Sequence, residues 1–325
     1  MFHYIDDNKS GEGERENMRT SEVKLEGIYP ILATPFTNAG EVDEESLREL
    51  VRFQLHAKVD GIALFGMASE MYTLLDEERA RIAEIVTDEV QGRVPLVFGS
   101  GHTGVEGAVH LSKQAEKAGA DALMVLPPYM AKPDGKRLYD YFAAIARAVQ
   151  IPIMIQDAPN ASGVNMPVAL MVKLAKEFDN IRYVKAEAPP TSIKTTEILD
   201  QAEGLLTVFG GINGLYFYEE LGRGAVGTMP ACEFPYAFVA IYQAFKAGDL
   251  DTARRTFYRY LPFMRIGTIP GYAMAVHKEV LKAGGVIQSA YVRNPNAPID
   301  DILRREVMDT LKDLDPLVLR WKESR

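Results

Sequence analysis

A lysine and a glutamate two residues apart, Lys185 and Glu187, close a run of β-branched and aromatic residues, Ile181-Arg182-Tyr183-Val184, which Ala188-Pro189-Pro190 then stops. Side chains in a strand alternate between its faces, so Tyr183, Lys185 and Glu187 share one face while Val184 and Ala186 take the other. At the C-terminal end of a strand built for burial, such a pair is costly unless it is paired or does chemistry. Desolvation lowers an amine's basicity and makes it a usable nucleophile. A carboxylate about 6.6–7 Å along the same face could move protons for it. Alone, Val184-Lys185-Ala186-Glu187 reads as an ion pair on a solvated strand end. Its place in the order of strands turns the reading toward chemistry.

The elements around it alternate. Apolar strand candidates fall at 27–34, 61–65, 94–98, 122–126, 151–156, 181–187, 205–209 and 225–229, and helical stripes of apolar residues lie between them. Asp43 is a good N-cap, Asp76 opens a second helix, and Thr103-Gly104-Val105-Glu106 has the capping-box pattern. Short apolar strands alternating with amphipathic helices mean a parallel sheet buried on both faces. About eight such units in ~210 residues predict a closed α/β barrel, the (β/α)8 TIM fold. An open doubly wound sheet is weaker, because no Gly-x-Gly-x-x-Gly follows the first strand. The expected division is a mobile tail over 1–25, a barrel over 26–237 and a C-terminal helical appendage over 238–325.

Catalytic groups in such a barrel sit where strands end. Those ends supply Met67-Ala68-Ser69-Glu70, Pro128-Tyr129, Gln156-Asp157, Lys185 with Glu187, and Gly210-Gly211-Ile212-Asn213, with Lys185 as their one lysine. A buried lysine ringed by small, hydroxyl and amide groups suits imine formation with a ketone. Ser69 and Glu70 have a competing role at the start of a helical turn. Gly211, Ile212 and Asn213 either offer N–H and amide groups to a substrate or form a tight turn.

Gly27-Ile28-Tyr29-Pro30-Ile31-Leu32-Ala33-Thr34-Pro35-Phe36, the Gly66-x-x-x-Glu70 loop, Pro128-Tyr129, Lys185 and the helical tail together resemble the dihydrodipicolinate synthase / N-acetylneuraminate lyase family. The resemblance spans 27 to about 321. It implies a (β/α)8 barrel, a homotetramer (a dimer of dimers), and a Schiff base between Lys185 and a 2-oxo acid such as pyruvate, with no cofactor beyond that lysine imine. It also implies that Tyr129 reaches toward a neighbouring subunit's site and that Ala68, Ser69, Glu70 and Gln156 surround the substrate. Two departures narrow it. Met67 and Ala68 replace the family's hydroxyl pair, leaving Ser69 and backbone N–H groups to take the carboxylate. Gln156 stands where the family has a tyrosine and cannot transfer a proton as a phenol does. Gln156-Asp157-Ala158-Pro159, the Lys185–Glu187 spacing and Asp315-Pro316-Leu317-Val318-Leu319-Arg320-Trp321 are similar to the branch containing 2-keto-3-deoxy-L-arabonate dehydratase. The expectation is a lyase that dehydrates a 2-keto-3-deoxy sugar acid. A pyruvate-dependent aldolase, or 4-hydroxy-tetrahydrodipicolinate synthase, is the alternative within the family. A phosphate-binding barrel would leave Lys185 without a role, and a non-catalytic sensor would explain the altered Met67-Ala68 loop.

Composition sets the outer limits. The chain has 325 residues, 47% hydrophobic and 25% charged, with a formal net charge of −9 and no block of like charge, which argues against a nucleic-acid surface. One cysteine excludes an intrachain disulfide, and no Cys/His spacing suggests a metal. No stretch resembles a signal peptide or a membrane span, so a cytoplasmic enzyme of a small 2-oxo acid is expected.

Overall fold

The computed structural model describes residues 24–314 and 316–323. Its strands are β1 (Gly27–Ile28), β2 (Ile62–Leu64), β3 (Leu96–Gly99), β4 (Ala122–Val125), β5 (Ile153–Asp157), β6 (Ile181–Ala186), β7 (Thr207–Gly210) and β8 (Gly227–Thr228). They pair in parallel in the order β1-β8-β7-β6-β5-β4-β3-β2. Ile31 closes the ring, bridging to Ala63 in β2 and to Ala231 beyond β8. β1 is far shorter than the 27–34 run suggests. Pro30 has no N–H to give a ladder, and the chain continues as single bonds, Tyr29 N–H to Thr228 O and Leu32 N–H to Ala63 O.

Two apolar layers follow from the alternation of side chains. Tyr29, Ile31, Ala63, Val97, Met124, Met154, Tyr183, Phe209 and Met229 fill the barrel interior. The opposite faces, including Val184 and Ala186, pack under the helices. The helix Glu44–His56 is capped by Asp43, whose carboxylate accepts from Ser46 N–H at 3.0 Å. The capping box expected at Thr103 is not formed. Gly104 is the N-cap of Val105–Lys117 without a side-chain bond, and its N–H goes to His102 Nδ1 instead.

Residues 1–23 of the expected tail lie outside the described residues, but Leu25 is already fully buried and donates its N–H to the Tyr183 hydroxyl. At the other end, the boundary expected at 237/238 falls inside the helix Pro235–Lys246, which packs on β1 and on Leu250–Ile266. Ala273–Ala283, Asp301–Lys312 and the turn Leu317–Glu323 complete the C-terminal helices.

A buried ion pair ties these helices to the barrel. Lys278 and Glu70 are both fully buried and bonded to each other. Burial pulls the Lys278 ammonium down to about 8, against the opposing pull of Glu70. Removing one member strands the other in a fully buried site, so Lys278→Met should cost about 3–5 kcal/mol of stability. A denaturant-unfolding midpoint indistinguishable from that of the parent would contradict this.

Candidate active site

The position of Lys185 is set by one irregularity. β5 and β6 start level, Ile153 beside Ile181, and then shift register so that Met154 pairs with Tyr183. The extra residue, Arg182, is a bulge. Without it Gln156 would lie beside Val184. With it Gln156, Lys185 and Phe209 stand side by side on β5, β6 and β7. Tyr183 and Phe209 belong to the interior layer, so by period-two alternation the Lys185 side chain enters the barrel mouth. It is 2% exposed.

Glu187 follows the last residue of β6 and extends the ladder by one bond, its N–H donating to Asp157 O at 3.0 Å. Three donors converge on its carboxylate. Lys185 Nζ stands 3.2 Å from Oε1, Ile212 N–H donates to Oε1 at 3.0 Å, and Gln156 Nε2 donates to Oε2 at 2.8 Å. Gly211 completes the seat. A β-carbon there would collide with Glu187 Cγ, so the backbone approaches the carboxylate as only glycine allows. The unit is an amine and a carboxylate in contact, the amine sheltered and the carboxylate half-buried. It can add to a carbonyl and shuttle a proton beside it.

The remaining expected residues divide. Ala68 lies in the turn Met67–Ser69 and packs on the interior layer. Ser69 is buried, and its hydroxyl donates to Leu32 O at 2.6 Å while its N–H closes the turn onto Gly66 O. The Glu70 carboxylate meets Lys278 on the helix Ala273–Ala283 and Arg293 N–H and Asn296 Nδ2 in the loop that precedes Asp301–Lys312, and has no bond to the Lys185 group. Asn213 is likewise engaged in holding its loop, donating to Met264 O and accepting from Ala231 N–H. Tyr129 is half-buried, within electrostatic reach of Arg79. Arg79 itself lies 4.3 Å over the Phe65 ring and donates to Gly99 O, placing a cation at the ends of β2 and β3. Burial brings its guanidinium down to about 10.

Several buried polar groups near the site have pairings that the sequence does not reveal. Asp157, fully buried, is ion-paired with Lys194. Burial raises its carboxyl above the ordinary range against the pull of that lysine. Glu220 is fully buried and accepts from Thr191 Oγ1 at 2.6 Å. His277 bonds Glu233 at 2.7 Å, both buried, although the scattered histidines gave no reason to expect it. Among the described residues no group of three or more His, Cys, Asp or Glu could hold a metal, and no helix is long and apolar enough to cross a membrane.

Comparison with known proteins agrees with this fold. The model of the Dihydrodipicolinate synthetase family matches residues 24–314. An L-2-keto-3-deoxyarabonate dehydratase from Azospirillum brasilense is 29% identical over 309 residues, 93% of this chain and 98% of its own. A 4-hydroxy-tetrahydrodipicolinate synthase from Chlorobium limicola is 34% identical over 291 residues, 89% of this chain and 97% of its own. Among solved structures, a prophage protein of the dihydrodipicolinic acid synthase family from E. coli K12, in complex with pyruvate, superposes with a TM-score of 0.85 at 27% identity. It covers 90% of this chain and 99% of its own.

Proposed function

This chain belongs to the dihydrodipicolinate synthetase family, and we propose that within it the protein is a lysine-imine lyase that removes water from a 2-keto-3-deoxy sugar acid. The observation that carries this reading is the contact of Lys185 with a carboxylate whose other oxygen is held by Gln156. The Lys185 amine adds to the C2 ketone and water leaves, giving an iminium. Glu187 takes the C3 proton, giving the enamine. The enamine expels the C4 hydroxyl, to which Glu187 returns the proton, so that it departs as water. Hydrolysis frees Lys185 and an unsaturated 2-oxo acid. The iminium nitrogen keeps a single N–H, and Ile212 N–H and Gln156 keep the carboxylate aimed. The substrate carboxylate is taken by Ala68 N–H, which lies outside the turn's own bonds from Ser69 and Glu70 N–H.

The similarity to an L-2-keto-3-deoxyarabonate dehydratase supports this outcome. The similarity to 4-hydroxy-tetrahydrodipicolinate synthases favours a second reading, condensation or cleavage with pyruvate. Carbon–carbon cleavage needs a group to manage the C4 hydroxyl proton, and Gln156, an amide engaged with Glu187, cannot ionise to do so. Product analysis separates the two. Given 2-keto-3-deoxypentonates, the enzyme should release a product one water lighter than the substrate; release of pyruvate and an aldehyde would establish the aldolase reading instead. The same proposal takes the chain as a cytoplasmic homotetramer with Tyr129 facing a neighbour, which sedimentation mass tests.

The seat of Glu187 gives a sharper expectation. Gly211 sits at φ −149° and ψ −142°, outside the extended region, and a β-carbon there would also displace the carboxylate it touches. A shift of the base by about an ångström costs on the order of 10²-fold. Gly211→Ala should therefore lower kcat by about 10–100-fold, and an unaltered kcat would count against Glu187 as the base.

A further inference from the structure

A second carboxylate lies behind the first. Glu220, on the helix Phe217–Leu221, is fully buried, and its two oxygens face different loops. Oε1 accepts from the hydroxyl of Thr191, the first residue of the helix that follows Glu187. Oε2 has no hydrogen-bond partner and lies against Gly210, where a β-carbon would collide with it. The buried Thr228 hydroxyl, also without a partner, meets the same glycine. Gly210 and Gly211 are thus consecutive contact points for two carboxylates, Glu220 on the first and Glu187 on the second. The next residue, Ile212, donates its N–H to Glu187.

We propose that Glu220 is a positioning residue for Glu187: as a neutral acid it wedges the loop after β6 against the loop after β7 and so fixes the Ile212 N–H and the Gly211 contact that aim the base. The inference rests on the reading of Glu187 as that base. An uncharged form is what the site allows, since one oxygen has only a hydroxyl donor and the other none. The ionisable groups acting on it, Glu187 at the end of β6 and Glu219 on its own helix, are both acidic and give it no counter-charge. Burial, mainly, pushes its carboxyl up to about 7. As pH rises through that value Glu220 acquires a charge its pocket cannot solvate, the turn at Gly210-Gly211 loosens, and kcat falls. The raised value also means that the stability Glu220 contributes is fully present below the ordinary carboxylate range and is lost as pH rises through about 7.

Infrared titration tests this without reference to catalysis. A protonated-carboxyl band that disappears around pH 7 in the parent should be missing in Glu220→Gln, and the alkaline fall in kcat should go with it. Thr191→Val, which deletes the hydroxyl that favours the ionised form, should move that fall to higher pH and serves if the first variant does not fold. Persistence of the band or of the alkaline fall in Glu220→Gln would overturn the proposal, as would a fall that Thr191→Val leaves in place. A normal kcat in Glu187→Gln would instead undo the reading of the base, and the infrared result would stand apart from it.

Discussion

Replacing Lys185 with methionine is expected to abolish turnover, by at least about 10⁴-fold, because the proposed mechanism makes the amine the group that becomes bonded to the substrate. Methionine has nearly the length of lysine and suits the apolar wall of the barrel, where Phe209 flanks the position. Glu187 keeps two of its three donors, Ile212 N–H and Gln156. The fold should therefore survive, and loss of activity will report chemistry. Lys185→Arg is the stricter control. It keeps a cation beside Glu187 but offers a delocalised guanidinium that does not add to ketones. Steady-state assays of both variants with a 2-keto-3-deoxy acid decide the matter. A residual rate above about one hundredth of the parent in either would remove the amine from the mechanism.

The second large effect belongs to Glu187. Glu187→Gln keeps the shape and can still accept from Ile212 N–H, but its amide cannot take a proton from C3. It also presents a donor to the Gln156 Nε2 donor, so Gln156 must turn over to restore the pair. Loss of a positioned general base is worth about 10²–10⁴-fold. Because Lys185 is untouched, the iminium should still form, and single-turnover experiments should show it accumulating where the parent passes straight through. The expected pattern is a fall in kcat of that size with KM changed by no more than about threefold. Unimpaired turnover would assign the proton transfer to another group.

How far the sequence reaches can be read from these same residues. The pairing of Lys185 and Glu187 on one strand face is legible because period two is local, and Tyr183 on the interior layer bears it out for the strand. The barrel is legible because eight apolar runs alternate with amphipathic helices, and the parallel order follows. The register that brings Gln156 level with Lys185 is not. It depends on a bulge at Arg182 that no residue type announces. Gln156 stands out in the sequence as a missing phenol, whereas its bond to Glu187 emerges only when β5 and β6 lie side by side. Glu70 reads locally as a loop carboxylate, but its partners Lys278, Arg293 and Asn296 are more than 200 residues away in the chain. Asn213 is bonded to Met264 and Ala231, 51 and 18 residues away. Glu220 has no signature at all, since an acid in a short helix looks solvated until Gly210 and Thr191 enclose it.

The most direct test asks whether the buried amine forms a covalent bond with a ketone. The protein is incubated with pyruvate, reduced with borohydride, and digested for mass mapping. The mechanism requires a stable increment equal to pyruvate added through a secondary amine, carried by the peptide containing Lys185 and absent from Lys185→Met. An unmodified Lys185 peptide after reduction with pyruvate and with 2-keto-3-deoxy acids, or an increment on another lysine, would contradict it.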